Sequence, residues 1–427
     1  MKQQPTISNI RLQKFVHGGQ TLGQLPDGKT VFVWGGLPGE LVSIRVLKSK
    51  SSYAEGIVEE VTESSPDRVD PLEPSVYLST SPWQNVAWEA ENKAKQEILS
   101  ETFTRGGLNI SWEPFIAAVS DEAGGVYHYR NKMEFSFFGD DKGLHLAHYV
   151  RGSHGKQVTD GSVLAMEPIN IAARAIVAEL NRLKIWGGDL KTVLVRCSQD
   201  GATAAALFIK KEALDLQAFV MPTCLQGMDI YYSNPQSPAS VPTKKLVTFG
   251  DTTLTDKVGK ATLQYSVLSF FQVTIPVFER ALASINKQTS DTPKIDMYSG
   301  VGSIGLGVGD VEFLVELDEA NVAMAKENVK GTQTQVVQAS SEAALEYIDG
   351  DHAVIVDPPR AGLHEAVVHR LLEALPPKIV YLSCNPSTQA RDVALLLSGY
   401  KIVWAEGFNF FPRTPHIESL IVLERNV

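Results

Sequence analysis

Three segments of the chain place reactive or ligand-binding residues directly after short apolar runs. Cys384 follows the run Lys378–Ser383, and Asp357 follows Ala353–Val356. A glycine-rich turn follows the run Lys294–Met297. In sheets of alternating strands and helices, ligands bind beyond the carboxyl ends of the strands. A thiol, a carboxylate and a glycine turn at three strand ends therefore predict covalent chemistry beside a bound nucleoside cofactor.

The glycine-rich turn, 300–305, fits the pattern G-x-G-x-x-G after a predicted strand. Glycine allows the backbone to approach a ligand closely, although a tight strand–helix turn has the same pattern. Glu316 lies fourteen residues beyond Gly302, at the end of the next predicted strand, where a carboxylate can accept ribose hydroxyls. The glycines suit a dinucleotide or S-adenosylmethionine equally. The thiol and the proline-rich loop favour S-adenosylmethionine, because hydride transfer requires neither.

Cys384 is predicted to be a nucleophile. It precedes Asn-Pro-Ser-Thr and the start of a predicted helix, and a helix N-terminus lowers the pKa of a thiol. Asp357 is followed by two prolines, which restrict the loop and position the carboxylate. Cys197, in a predicted strand, and Cys224, in a predicted loop, are interpreted as ordinary structural cysteines. Three widely spaced cysteines imply no disulfide framework.

Glu418 begins the last predicted strand, close to the same edge of the sheet. A carboxylate there is a candidate general base. His416, two residues earlier, is expected to have a structural or positioning role.

The pattern of apolar residues predicts three regions. Residues 6–62 contain short strands separated by glycine turns, which are typical of a small β-barrel. Residues 125–250 mix strands with helices, and the alternation after residue 270 predicts a doubly wound sheet. The predicted strands are Thr30–Trp34, Leu41–Leu47, Ala54–Val61, Tyr129–Phe137, Val193–Cys197, Thr203–Ile209, Lys294–Met297, Glu312–Val315, Gln335–Gln338, Ala353–Val356, Lys378–Ser383, Lys401–Ala405 and Ile417–Leu423. The predicted helices are Trp88–Phe103, Ile169–Lys184, Glu319–Val329, His364–Ala374 and Pro386–Leu397.

Length and charge restrict the class of protein. A chain of 427 residues is expected to form two or three domains. Its net charge of −10 argues mildly against nucleic-acid binding, but residues 11–50 carry six Lys and Arg against two acidic residues. A basic N-terminal module is therefore compatible with RNA. No apolar run reaches the ~18 residues needed to span a bilayer, and we expect a cytoplasmic monomer.

Several segments together, and in this order, resemble the RNA uracil-5-methyltransferase family. The segments are Leu37–Glu40 (LPGE), Tyr129–Lys132 (YRNK), Phe270–Thr274 (FFQVT), Asp357–Leu363 (DPPRAGL), Ser383–Asp392 (SCNPSTQARD) and His416–Ser419 (HIES). The resemblance covers most of the chain. One departure is Thr274, where the family has Asn, and it puts in doubt any contact made by that Asn.

The resemblance implies a multidomain α/β fold with three parts. Residues 1–65 would form a TRAM-like RNA-binding β-barrel, and residues 66–90 with 125–252 a central α+β RNA-binding domain. Residues 91–124 with 253–427 would form a doubly wound, Rossmann-like methyltransferase domain of class I.

The resemblance also implies a mechanism and a set of site residues. Cys384 would add to C6 of a uracil flipped out of its stack, and Glu418 would remove the C5 proton after methylation by S-adenosylmethionine. Arg130 and Lys132 are expected to contact phosphates. The implied cofactor-binding residues are Gln272, Tyr298, Gly300, Gly302, Ser303, Glu316 and Asp357.

Many relatives with a TRAM domain hold an iron–sulfur cluster on four cysteines. The matching segment here, 77–84, contains no cysteine, and the chain has only three. We therefore expect no cluster.

Alternative functions remain open on the sequence alone. The barrel favours 23S ribosomal RNA as substrate, and transfer RNA is the alternative. Methylation of another base or of an exocyclic nitrogen is disfavoured by Arg360 and Cys384, since amino-methylating enzymes need no thiol. A non-catalytic RNA-binding factor is disfavoured by the presence of both Cys384 and Glu418.

Overall fold

A computed structural model of the protein describes residues 6–117, 125–153, 155–216 and 218–426. The predicted domain boundaries also take in residues 1–5, 118–124 and 427, which lie outside this described part. Within it, no helix is both long enough and apolar enough to cross a membrane.

The N-terminal region is a closed five-stranded barrel, which confirms the predicted β-barrel. The strands lie in the order β1-β2-β3-β5-β4, and β4 pairs with β1 to close the sheet. Alternate residues such as Val31 and Val33 point inward and are fully buried. The strands are β1 (Thr6–Phe15), β2 (Thr21–Gln24), β3 (Thr30–Trp34), β4 (Leu41–Ser49) and β5 (Tyr53–Glu63).

The barrel does not present the basic surface that its first half suggests. Residues 6–63 hold six Lys or Arg and six Asp or Glu, because β5 supplies four glutamates that residues 11–50 do not include. Four of the cations pair with acidic side chains, three from β5 and one, Glu101, from the helix at 88–105. The pairs are Arg11–Glu63, Lys14–Glu101, Arg45–Glu59 and Lys48–Glu55.

The central region forms a mixed seven-stranded sheet with one helix on its face. The strand order is β12-β11-β10-β9-β6-β7-β8, and only β10 and β11 are parallel. The elements are α1 (Tyr77–Thr80), α2 (Trp88–Arg105), β6 (Lys132–Asp140), β7 (Gly143–Tyr149), β8 (Lys156–Val158), α3 (Glu167–Arg182), β9 (Leu190–Cys197), β10 (Thr203–Ile209), β11 (Gly227–Tyr232) and β12 (Lys244–Gly250). Helix α3 packs on one face through Ile169, Ala173 and Ile176.

The predicted strand Tyr129–Phe137 begins later than expected. Regular pairing starts at Lys132, because His128 adopts φ +55° and residues 129–131 turn toward the C-terminal region. There the Tyr129 hydroxyl donates to the Pro412 carbonyl at 2.9 Å. The Asn131 amide donates to the Gln272 carbonyl, also at 2.9 Å.

The C-terminal region is a doubly wound sheet, as predicted. Its strand order is β17-β16-β15-β18-β19-β21-β20, with the first five strands parallel. The last strand, β21, runs antiparallel between β19 and β20. The elements are β13 (Thr253–Val258), β14 (Ala261–Ser266), α4 (Ile275–Thr289), β15 (Lys294–Met297), α5 (Ser303–Val308), β16 (Val311–Glu316), α6 (Glu319–Asn328), β17 (Gln335–Gln338), β18 (Ala353–Val356), α7 (Glu365–Ala374), β19 (Lys378–Ser383), α8 (Pro386–Leu396), β20 (Tyr400–Phe408) and β21 (Glu418–Arg425).

A buried polar network on α2 fixes the loop between β20 and β21. Lys95, which is fully buried, donates to Glu91, Asn409 and the Phe411 carbonyl at 2.9, 2.6 and 3.0 Å. Glu91 also accepts the backbone N–H of Arg413 at 3.0 Å. A buried ion pair of this kind is held only when its remaining polar atoms are bonded. Loop 409–416 is therefore rigidly attached to α2.

Other parts of the chain hold the same loop. The Trp83 backbone N–H donates to the Arg413 carbonyl at 3.1 Å, and its indole N–H donates to the Gly19 carbonyl of the barrel at 3.0 Å. A side chain at Gly19 would meet Pro415 at 2.4 Å, so only glycine allows the barrel to pack so closely. The barrel, the central region and α2 thus converge on the segment that leads to Glu418.

Candidate active site

A cavity of about 890 Å³ opens at the carboxyl ends of the parallel strands in the C-terminal sheet. Its volume suits a nucleoside-sized ligand. Arg130, Phe270, Phe411 and His416 line its mouth. Seven of the nine predicted site residues line it, namely Gln272, Tyr298, Gly300, Glu316, Asp357, Cys384 and Glu418.

Strand register brings Cys384 and Glu418 together. Ser383 at the end of β19 pairs with Ser419 at the start of antiparallel β21, which places the residues just outside this pair side by side. Gln389 of α8 donates to the Tyr381 and Ser419 carbonyls at 2.8 and 3.1 Å. This side chain locks the ends of both strands, so the thiol and the carboxyl are held on a common framework.

The cysteine loop and the proline loop are also joined. Asn385 and Thr388 donate to the backbone carbonyl of Arg360 at 2.8 and 3.2 Å. Asp392 accepts the Leu363 backbone N–H at 2.8 Å. The polar residues that follow Cys384 in the motif therefore hold the proline loop, 357–363, in place.

The proline loop needs glycine at position 362. Gly362 adopts φ +84°, and a side chain there would meet the Asp392 carboxylate at 2.5 Å. Its N–H donates to the Pro359 carbonyl at 2.9 Å, which closes the turn after Asp357.

Three acidic groups of the cavity, Cys384, Asp357 and Glu418, have raised pKa values. Burial raises the pKa of Cys384 to about 11, and the neighbouring Glu418 and Asp357 raise it further. The predicted lowering of this pKa by the helix N-terminus is therefore wrong for the ligand-free protein, since desolvation and two nearby carboxyl groups outweigh the helix. Burial raises the pKa of Asp357 to about 7. Glu418, buried beside Asp357, has a pKa well above the usual range.

Arg360 opposes these shifts. It lies at the cavity mouth, where its charge and a hydrogen bond to the thiol lower the pKa of Cys384. It also lowers the pKa of Glu418. The sequence reasoning used Arg360 only to argue against amino-methylation and missed this contact. Its position directly after the two prolines was the available signal.

The other end of the cavity is organised around Glu316. Its two carboxylate oxygens accept the backbone N–H groups of Gly300 and Asp318 at 2.8 and 2.7 Å. The buried Asn321 side chain lines the same wall, and its carbonyl oxygen has no hydrogen-bond partner within the described residues. An unsatisfied buried acceptor is costly unless a ligand or water pairs with it. Asn321 was not predicted, because it lies on a helix beyond the motif.

Two predicted cofactor residues do not line the cavity. A side chain at Gly302 would meet Leu306 and Leu314 at 2.8 and 2.9 Å, so this glycine with φ +89° serves the packing of the turn. Ser303 is buried at the start of α5. Neither has a ligand-facing position in this structure, because the turn directs Gly300 alone toward the cavity.

Comparison with known proteins identifies the family. The family model "tRNA (Uracil-5-)-methyltransferase" matches residues 344–426, and the TRAM domain model matches residues 9–58. The matched segment carries Cys384, Glu418 and the loops that hold them. Residues 344–426 thus form a segment of the tRNA (uracil-5-)-methyltransferase family. The N-terminal barrel is a TRAM domain, and the chain is an RNA methyltransferase.

Relatives of this methyltransferase match along nearly the whole chain. An RNA methyltransferase of Thermotoga maritima is 25% identical, and the match covers 98% of this chain and 99% of that one. One from Halalkalibacterium halodurans is 28% identical over 98% and 97% of the two chains. The crystal structure of the Pyrococcus abyssi tRNA (uracil-54, C5)-methyltransferase with S-adenosyl-L-homocysteine has a TM-score of 0.77. It is 22% identical, covers 97% and 99% of the two chains, and shows the shared fold.

The lining of the cavity suits a nucleoside cofactor. Glu316 has free lone pairs on a carboxylate fixed by two backbone N–H groups, as ribose hydroxyls require. The unpaired oxygen of Asn321 and the exposed side chain of Leu317 lie on the same wall, where they can meet a polar group and a planar base. Within the described ranges, no group of three or more His, Cys, Asp or Glu side chains is placed to hold a metal ion.

Proposed function

We propose that this enzyme methylates C5 of a specific uridine in RNA through a covalent adduct between the Cys384 sulfur and C6 of the uracil. The observation that carries the proposal is the pairing of β19 with β21, which sets Cys384 beside Glu418 at the wall of the cofactor cavity. Methylation of an exocyclic amine needs neither a thiol nor a second buried carboxyl. Uracil C5 needs both, because it is a weak nucleophile that must also lose a proton.

The first step is attack by the Cys384 thiolate. The thiol gives up its proton to solvent, the S–C6 bond forms, and the electron pair of the C5–C6 double bond makes C5 enolate-like and nucleophilic. Arg360 favours this step because its guanidinium stabilises the thiolate. The raised pKa of Cys384 keeps the thiol protonated, and so protected from oxidation, until substrate is present.

The second step needs a base at C5. Bound S-adenosylmethionine supplies the methyl group as a sulfonium. Glu418 then accepts the C5 proton, the C5–C6 double bond is restored, and the S–C6 bond breaks to release the thiolate. A carboxylate with a raised pKa is a stronger base than an ordinary glutamate. Burial of Glu418 thus suits the removal of a carbon-bound proton.

The target base must leave its stack to reach the thiol, at a cost of a few kcal/mol. Phe270 and Phe411 lie at the mouth of the cavity, and either ring offers an apolar face to a flipped base. The Arg130 guanidinium lies 5.8 Å from the centre of the Phe411 ring and extends the mouth with a cation that suits a phosphate. Lys132, the other predicted phosphate contact, does not line the cavity and is mostly buried.

Two RNA classes are candidate substrates. The TRAM barrel was the reason to favour 23S ribosomal RNA. The Pyrococcus abyssi structure is that of a tRNA (uracil-54, C5)-methyltransferase, and its match covers 97% of this chain and hence includes the barrel region. The barrel therefore does not separate the two classes. We retain ribosomal RNA as the proposed target and transfer RNA as the alternative.

One experiment tests the chemistry and the target together. The enzyme is incubated with radiolabelled S-adenosylmethionine and, separately, ribosomal and transfer RNA from cells lacking the gene, and the RNA is digested to nucleosides. Label in 5-methyluridine from one class supports the proposal and names the target. Label in any other nucleoside, or none with either RNA, contradicts it, and the second result favours a non-catalytic RNA-binding factor.

Matched cysteine variants test the covalent step. Cys384→Ala is expected to abolish the RNA adduct seen on denaturing gels, whereas Cys197→Ala, which changes a thiol buried in the central sheet, is expected to keep it. An adduct that survives Cys384→Ala overturns the assigned nucleophile.

A further inference from the structure

A cluster of lysines and exposed aromatic rings lies on the central sheet, away from the active-site cavity. Tyr149 at the end of β7 is 60% exposed, and Trp186 before β9 is 70% exposed. The Lys156 ammonium lies 4.8 Å from the centre of the Tyr149 ring, and the Lys211 ammonium lies 5.8 Å from the Trp186 ring. Two large exposed rings, each with an ammonium group beside it, thus lie together in one surface patch.

The positive charge of this cluster is not balanced by carboxylates. Lys156 donates to the Phe137 carbonyl at 2.8 Å, and Lys210 donates to the Gly188 carbonyl at 3.2 Å. Neither lysine forms an ion pair with any of the residues that the structure describes. Burial, and then repulsion from Lys156, lowers the pKa of Lys210. The nearby Asp189 is already paired with Lys211 at 2.7 Å.

The charge of this cluster contrasts with that of the chain and of the barrel. The net charge is −10, and the cations of the barrel are mostly paired with glutamates. An unpaired cationic cluster on such a protein is complementary to a polyanion. Exposed rings interleaved with lysines suit a single strand in particular, because unstacked bases lie on the rings while phosphates meet the ammonium groups.

Contacts connect this cluster to the active-site mouth. The Arg151 guanidinium, two residues beyond Tyr149, lies 3.8 Å from the centre of the Trp34 ring on the barrel. Phe32, on the same outer face of β3, accepts the Gln20 side-chain amide through its carbonyl at 3.4 Å. Gln20 follows Gly19, which packs against Pro415 beside the cavity. These contacts run from the segment beside the cluster, through the barrel, to the loop beside the cavity.

We infer that the surface formed by Tyr149, Lys156, Trp186 and Lys210 binds a single-stranded segment of the substrate RNA outside the target uridine. This inference rests on the proposed RNA substrate and adds a second contact region to it. The region would supply affinity and help to select RNAs that have an unpaired segment at a fixed distance from the target.

The test measures binding without methylation. Fluorescence anisotropy follows a labelled 12-nucleotide adenosine oligomer, which has no uracil for Cys384, at several KCl concentrations. The paired variant Lys156→Gln/Lys210→Gln should flatten the slope of log Kd against log [KCl] by about 1.4, since each lost phosphate contact changes a single-strand slope by about 0.7. The variant Tyr149→Ala/Trp186→Ala should weaken binding at least ~10-fold, since stacking contributes ~1–3 kcal/mol per base.

Conservative variants separate recognition from folding. Tyr149→Phe keeps the ring and Lys156→Arg keeps the charge, so both should bind within about twofold of the wild type. Lys93→Gln, which changes a 78% exposed lysine on α2, is the matched surface control and should leave slope and affinity unchanged.

The outcomes distinguish this inference from the proposed function. Unchanged affinity and slope in both paired variants overturn the inference, even if the enzyme still forms 5-methyluridine. Weakened oligomer binding supports it, even if the methylated nucleoside proves to be another. Equal weakening in Lys93→Gln would show an unspecific charge effect and would also overturn it.

Discussion

The buried pair Glu91–Lys95 is expected to control the order of the loop that precedes Glu418. In Lys95→Met, the side chain keeps its length but loses three hydrogen bonds, and the fully buried Glu91 carboxylate keeps only the Arg413 guanidinium, 3.7 Å away, as a cationic partner. Breaking a buried ion pair costs ~3–5 kcal/mol. Glu91 still accepts the Arg413 N–H at 3.0 Å and the Asn409 amide at 3.0 Å, so the lower end, about 3 kcal/mol, is expected.

Hydrogen exchange measured by mass spectrometry can localise this loss. A cost of ~3 kcal/mol corresponds to a ~100-fold larger equilibrium constant for local opening, because each 1.4 kcal/mol changes an equilibrium constant about tenfold. Peptides that cover 409–416 should exchange faster by that factor, whereas peptides of the barrel interior should change little. Lys93→Met, on the exposed face of the same helix, is the control and should leave exchange unchanged.

A double variant tests the physical reason. Glu91→Gln/Lys95→Met removes both charges, so no carboxylate remains buried without its lysine partner. It should therefore exchange more slowly at 409–416 than Lys95→Met alone. If the double variant instead shows the summed loss of the two single variants, or if Lys95→Met speeds exchange less than threefold, the charge argument is refuted.

Three further results are expected at the active site. With a pKa of about 11, Cys384 should react with iodoacetamide ~100-fold more slowly at pH 7 than a thiol of pKa 9.0, as followed by peptide mass spectrometry. The reaction rate should rise about tenfold per pH unit from pH 7 to 10. The variant Arg360→Ala should react more slowly still, because the guanidinium that stabilises the thiolate is lost. A pH-independent rate would contradict the raised pKa. Glu418→Gln should accumulate the covalent RNA adduct, because the C5 proton is not removed. Rapid turnover of this variant without an adduct would exclude Glu418 as the general base. Glu316→Ala should weaken cofactor binding ~10–100-fold, as measured by calorimetry, and Asn321→Ala should weaken it less. If both variants bind the cofactor with the Kd of the wild type, neither residue contacts it.

The positions of the strands and motifs could be predicted because each depends on a short stretch of sequence. Strands such as Gln335–Gln338 and Ala353–Val356 have the predicted bounds, and they follow from runs of apolar residues between polar turns. The loops that carry Asp357 and Cys384 follow from the strand ends. The proximity of Cys384 and Glu418 was predicted through the family resemblance. It depends on the insertion of β21 between β19 and β20, which no short stretch of sequence reveals.

Properties that depend on several distant residues were missed. The pKa of Cys384 is set by Glu418 and Asp357, which are remote in sequence, and the local helix signal pointed the other way. The barrel's charge is neutralised by partners on β5, outside the window that seemed basic. Lys156 and Lys210 are 54 positions apart, so no sequence window contains their cluster.

The attachment of loop 409–416 determines which molecule must rearrange during recognition. The barrel, Trp83, α2 and Tyr129 all contact this loop, so bending it open would break contacts in several places at once. Such a preformed site shifts the deformation to the RNA. Uridines that are already unpaired are then the least costly to capture, and a duplexed uridine carries an added penalty of a few kcal/mol. Selectivity among uridines would thus reflect the folding energy of the RNA as much as any contact with its bases.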